Sequence, residues 1–121
     1  MTPLYNILSL QKSDTGFEAI IGLDAEHIIY KAHFPGNPIT PGVILLQICK
    51  QCAIDILRQQ GKLSTYNPMI SDIKMLKFIN FIVPQADKTV TISIQQTDNT
   101  FKTVIFDSEK EYAKMQFTIS I

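Results

Sequence analysis

The sequence predicts an α+β fold in which a sheet of largely antiparallel strands packs against one buried helix. Three observations carry that expectation. A single helical stretch has clear ends near residues 41 and 60. Most of the remaining chain reads as β-branched and aromatic runs separated by turn residues. The final run alternates cleanly through Met115, Phe117, Ile119 and Ile121. Strands after a lone apolar helix favour an α+β layer arrangement over an alternating α/β one.

Taken in order, Phe17–Leu23 and His27–Ala32 read as strands, with Asp24 and Ala25 between them as a hairpin turn. The helix then runs from about Pro41 to Gln60. Thr40 is a fitting N-cap, since its hydroxyl can accept from a free first-turn N–H. Pro41 suits the first helical position and Gly61 the position just past the end. The first half, Val43, Ile44, Leu45, Leu46, Ile48, Cys49, Cys52 and Ala53, is apolar almost all round. Such a helix should be covered on most sides, with its polar end from Arg58 to Gln60 in solvent. Met69–Val83 reads as a long strand, followed by Thr89–Thr97, Phe101–Asp107 and Tyr112–Ile121. Asp98-Asn99 and Ser108-Glu109-Lys110 fill the turns. No internal repeat is present.

The chain has 121 residues, 45% hydrophobic and 18% charged, which fits one domain spanning 1–121. Eleven basic residues balance eleven acidic ones, so nothing draws the chain to nucleic acid or an anionic membrane. No apolar stretch approaches the ~20 residues of a membrane span, and the first ten residues do not read as a signal peptide. The two cysteines, Cys49 and Cys52, fit a cytoplasmic protein with reduced thiols. A Cys-x-x-Cys redox pair normally sits at a helix N-terminus, whereas these lie over two turns inside and read as core packing. Only His27 and His33 could join them, so no metal site is expected. His27 reads as a half-exposed strand residue.

The chemistry concentrates in His33-Phe34-Pro35-Gly36-Asn37-Pro38-Ile39-Thr40-Pro41-Gly42-Val43. Pro35, Pro38 and Pro41 each fix φ and restrain the residue before them. A loop with so little freedom holds a side chain at low entropic cost. It feeds a helix whose free N–H groups favour negative charge, including charge developing on a carbonyl oxygen. Histidine is the usual proton-transfer group near neutral pH, so His33 in this setting suits removal of a proton α to a thioester carbonyl.

This run, followed by an apolar helix, resembles the FabZ-type 3-hydroxyacyl-acyl-carrier-protein dehydratases. A weaker similarity follows from Ile73 to Pro84, where the family's Pro-Gly-Asp turn is altered to Pro84-Gln85-Ala86-Asp87. The resemblance implies a hot-dog fold, with the sheet wrapped around a central helix, and a dimer or higher oligomer with active sites between subunits. It implies removal of water from a 3-hydroxyacyl group carried on the phosphopantetheine of acyl carrier protein, with no cofactor of its own. His33 would be the catalytic histidine, and the N–H of Gly42 or Val43, following Pro41, would polarise the carbonyl. Phe34, Leu46, Met75 and Phe78 either line the acyl tunnel or belong to the core. Of Lys50, Arg58, Lys62, Lys74 and Lys77, the pair Lys74 and Lys77 best suits docking of an acidic carrier.

One departure matters. The family carries a carboxylate on the helix fourteen residues after the histidine; this chain has Gln47. A glutamine can hold a hydroxyl or a water but cannot exchange a proton at neutral pH. Four readings stay open: His33 performs both transfers, the chain is weak or inactive, another chain supplies the acid in a mixed dimer, or the reaction has become thioester hydrolysis.

Overall fold

The computed structural model describes residues 3–121. Six strands form one antiparallel sheet: β1 (Tyr5–Ser13), β2 (Gly16–Leu23), β3 (Ile70–Phe78), β4 (Thr89–Thr97), β5 (Thr100–Phe106) and β6 (Glu111–Ile119). The spatial order is β1-β2-β4-β5-β6-β3, so β1 and β3 are the edges. Two helices lie between β2 and β3 in sequence: α1 (Ile29–Ala32) and the long α2 (Gly42–Gln59). The α+β arrangement expected from the sequence is the one observed.

Alternation decides which side of the sheet meets α2. Phe101, Thr103 and Ile105 on β5 pair with Phe117, Met115 and Ala113 on β6, and all six are buried. They face Ile48, Cys49, Cys52, Ile56 and Leu57 of α2 in one hydrophobic core. The rings of Phe101 and Phe117 stack at 6.1 Å between centroids. Burying each such large apolar side chain contributes roughly 1.5–3 kcal/mol. Gly61 ends α2 as expected, at φ +70°. Its N–H reaches Arg58 O and that of Lys62 reaches Leu57 O, which closes the last helical carbonyls in a Schellman turn.

Four expectations need correction. The segment from His27 to Ala32 is not a strand. The Asp24 carboxylate accepts from Glu26 N–H and the His27 ring from Ile29 N–H, so the chain turns into α1. Strand β2 pairs instead with β1, which the sequence reading left unassigned, and with β4. Extended structure after Pro68 stops at Phe78 rather than Val83. Ile79 and Asn80 donate to the Tyr112 carbonyl, after which the chain leaves the sheet edge. Finally, Thr40 makes no cap: Pro41 is the N-cap residue, and the Thr40 hydroxyl donates to the distant Ile82 carbonyl.

The covering of α2 is also one-sided at its start. Leu45 and Ile48 are buried, but Val43 is 69% exposed and Gln47 is exposed beside it, one turn on. Edge strand β3 leaves Ile73, Leu76 and Phe78 uncovered, and Phe81 beyond it is 71% exposed.

Candidate functional site

His33 ends α1, its N–H donating to Ile29 O. The chain then folds on itself: Phe34 and Asn37 exchange backbone hydrogen bonds, and Ile39 N–H returns to His33 O at 3.0 Å. Gly36 takes φ +74°, a conformation that glycine adopts at no steric cost. The proline-rich segment is thus a closed, internally bonded loop.

The half-buried His33 ring stacks on the exposed Phe34 ring, with centroids 4.0 Å apart. Its Nδ1 lies 3.4 Å from the Ile39 carbonyl, a long contact. A carbonyl only accepts, so this contact favours the tautomer with the proton on Nδ1. Nε2 then carries the lone pair, as a general base requires.

Pro41, buried at φ −59° and ψ 140°, turns the chain into α2. The N–H groups of Gly42 and Val43 lie in the first turn, ahead of which no helical carbonyl exists. Phe78 closes on this point from β3: a Cβ added to Gly42 would meet its ring at 2.8 Å. The fold therefore brings together the helix start and the end of β3, two segments that are far apart in sequence. Leu46 is half-buried on the same part of α2.

Other expected residues are more dispersed. Register shifts between Ile73 and Met75, leaving Lys74 unpaired at the irregularity. Met75 stands opposite Gln116, on the face turned away from α2, whereas Leu76 and Phe78 stand opposite the buried Met115 and Ala113. Lys77 stands opposite Lys114 rather than beside Lys74. Five open concavities of about 230–540 Å³ are lined by residues other than His33 and Gln47, and one of them, about 340 Å³, runs along the loop at His27, Tyr30, Pro35, Gly36 and Pro38. On a single chain His33 is half-buried and Gln47 is exposed.

Cys49 and Cys52 are both buried in α2. Burial pushes each thiol up to about 12; the Thr103 hydroxyl bonded to Cys49 opposes this, while Cys49 and Asp55 reinforce it at Cys52. Neither is a thiolate near neutral pH, so the pair is packing. Among the described residues, no helix is long and apolar enough to cross a membrane.

The sequence reading missed two residues here. Tyr30, buried, bonds through its hydroxyl to that of Thr40, and the Ile82 carbonyl accepts from both the N–H and the hydroxyl of Thr40. Thr40 has the local pattern of a helix cap, but its hydroxyl's partner lies 42 residues away, where no local pattern reveals it.

A helix wrapped by an antiparallel sheet, with a proline-bounded histidine loop feeding that helix, defines the hot-dog class of dehydratase-like proteins. The comparisons make this specific. Residues 9–116 match the model of the ApeI-like family, described as ApeI dehydratase, and the chain belongs to that family. FabZ dehydratases are more distant relatives. That of Oenococcus oeni is 24% identical over 67 residues, 55% of this chain and 48% of the relative. That of Ehrlichia chaffeensis is 30% identical over 62 residues, 51% of this chain and 42% of the relative. The chain spans about half the length of the curated relatives it matches. Among solved structures, the dehydratase heterocomplex ApeI:P from Xenorhabdus doucetiae superposes at a TM-score of 0.67, with 20% identity and full coverage of both chains. An uncharacterized protein from Erwinia carotovora subsp. atroseptica gives a TM-score of 0.59 at 19% identity, covering 99% of this chain and 97% of that one.

Proposed function

We propose that this protein removes water from 3-hydroxyacyl thioesters held on acyl carrier protein, giving the trans-2-enoyl thioester. The observation that carries the reading is His33 itself. Its half-buried ring is held on a closed loop, with Nδ1 toward the Ile39 carbonyl, and that loop leads into a helix start whose N–H groups have no internal acceptor.

In the proposed reaction His33 Nε2 takes a proton from C2. The carbonyl oxygen gains negative charge, which the Gly42 and Val43 N–H groups offset. The C2–C3 double bond forms as the C3–O bond breaks. The departing hydroxide takes the proton back from the His33 imidazolium and leaves as water. Gln47 hydrogen-bonds the hydroxyl and orients it. Phe34, Pro41, Leu46 and Phe78 contact the acyl group, and Lys74 and Lys77 receive the carrier.

Activity requires a second chain over the uncovered face of Val43 and Gln47 and the apolar edge of β3. A homodimer is the simpler assembly. The heterocomplex formed by a relative favours a second reading, in which an unlike partner supplies a carboxylate opposite His33.

Hydration of a crotonyl thioester, the reverse reaction, tests the reading. His33→Ala should abolish it, and undiminished turnover would sink the assignment. Gln47→Glu separates the remaining options. General acid groups contribute ~10²–10⁴ in rate, so a gain of that order means the scaffold lacks only its acid. No gain, with release of free thiol from the substrate, identifies a thioesterase instead.

A further inference from the structure

We infer that the hydroxyls of Tyr30 and Thr40 form a clamp that positions His33, by joining both ends of its loop to the backbone of Ile82. This rests on the proposed role of His33 only for its effect on rate; the geometry stands without it.

Tyr30 precedes His33 by three residues, and Thr40 closes the loop just before Pro41. Both are only 4% exposed, and Ile82 is 1% exposed. Thr40 donates twice to the Ile82 carbonyl, from its N–H at 2.9 Å and its hydroxyl at 3.1 Å. Its single hydroxyl proton is thereby committed. In the 2.9 Å contact between the Tyr30 and Thr40 hydroxyls, Tyr30 must be the donor. The result is a directed chain, Tyr30 to Thr40 to Ile82. Burial, reinforced by Asp24, raises the Tyr30 phenol above its ordinary value, so the phenol stays protonated and able to donate.

The rest of the loop has few other ties. Among the described residues, hydrogen bonds from positions 33–40 to the body of the fold run through His33 N–H to Ile29 and through Thr40. At Gly36 nothing lies within 4 Å of where a side chain would begin. The remaining bonds are internal to the loop. His33 Nδ1 contacts Ile39 O, the residue beside Thr40, so movement at Thr40 reaches the ring directly. The Tyr30 hydroxyl is bonded to Thr40 and the Thr40 hydroxyl to Ile82, which makes them positioning residues and not catalytic ones.

The test uses the full chain with Tyr30→Phe, Thr40→Val and Thr40→Ser. Crotonyl-thioester hydration is measured as kcat and KM, and amide hydrogen exchange is followed over residues 33–39. Misplacement of a catalytic group by ~1 Å costs up to ~10²-fold in rate. Tyr30→Phe removes one oxygen and should lower kcat about tenfold, with KM within about twofold of the parent. Loop exchange should quicken while that of α2 does not. Thr40→Val should do the same, and Thr40→Ser should restore both readouts. Unchanged exchange in Tyr30→Phe overturns the clamp, whatever happens to the rate. Faster exchange with unchanged kcat overturns its positioning role. A Thr40→Ser variant as impaired as Thr40→Val shows that the hydroxyl alone does not hold the loop, and overturns the clamp as well. A parent chain that hydrates nothing refutes the dehydratase reading separately, and loop exchange then decides the clamp alone.

Discussion

Gly42→Ala is the substitution in which stability and activity should part most clearly. The added Cβ would stand 2.8, 3.0 and 3.1 Å from three atoms of the Phe78 ring. Carbon atoms rest at about 3.5–4.0 Å, so the ring must retreat by roughly 0.8 Å. Overpacking a closed core costs ~1–3 kcal/mol, but Phe78 is 51% exposed and has solvent to move into, which places the cost near the lower end. Alanine also gains up to ~1 kcal/mol of helix propensity over glycine. The two nearly cancel, and urea unfolding should show a change within about 1 kcal/mol. Hydration of the crotonyl thioester should nevertheless fall by about 10²-fold, because a methyl and a displaced ring now crowd the first-turn N–H groups. The cycle with Phe78→Ala isolates the cause. In that background Gly42→Ala has no ring to displace, so most of its rate effect should vanish as a coupling of ~0.5–3 kcal/mol. Two additive single effects, or an unaltered rate in Gly42→Ala, would refute the contact as the reason this position is glycine.

Asp107→Asn should destabilise the fold by ~1–3 kcal/mol in urea unfolding at pH 7, since it weakens charged hydrogen bonds to Lys88 and Tyr112. Burial alone would raise the Asp107 carboxyl. The Tyr112 hydroxyl, the Glu109 and Lys110 amides and the Lys88 ammonium outweigh it and hold the group well below the usual range. Its contribution is therefore complete above the unfolded value near ~4 and is lost as pH falls below that, so parent and variant should converge in acid. Equal stability at pH 7 would count against the network. A thiol reagent at pH 8 should leave Cys49 and Cys52 unlabelled in the native chain and label both in denaturant, because burial holds both thiols near 12; rapid native labelling would contradict their burial. Phe117→Ala, at a site with no exposure, should cost ~3–5 kcal/mol, and a loss under 1 kcal/mol would show that the Phe101 stack is not central to the core.

Local chemistry made much of the fold legible. The long helix is bounded by Pro41 and Gly61 because φ at each is restricted or permitted by covalent structure alone. Strands β4 to β6 declared themselves as β-branched and aromatic runs between turn residues, and β6 also through alternation, which needs only one buried face. The loop from His33 carried its chemistry in its proline spacing. Legibility failed where local preference met a nearby or distant competitor. Ile28 and Ile29 favour strand, yet the side chains of Asp24 and His27 bond the backbone and turn it into α1. Strand β1 carries a register irregularity between Ile7 and Ser9, and it is fixed by its pairing with β2.

The sequence by itself therefore determined the α+β class, the position of α2 and a histidine held before a helix start, all consequences of bonds within a few residues. Only the tertiary structure decided what holds that histidine. Thr40 has the composition of a helix cap, but a carbonyl brought in by a segment 42 residues on takes its hydroxyl. It also decided that Gln47 and Val43 lie bare on the side of α2 that the chain's own sheet does not cover. A hydrogen bond or an uncovered face of this kind depends on which distant segments meet, and no local pattern encodes that.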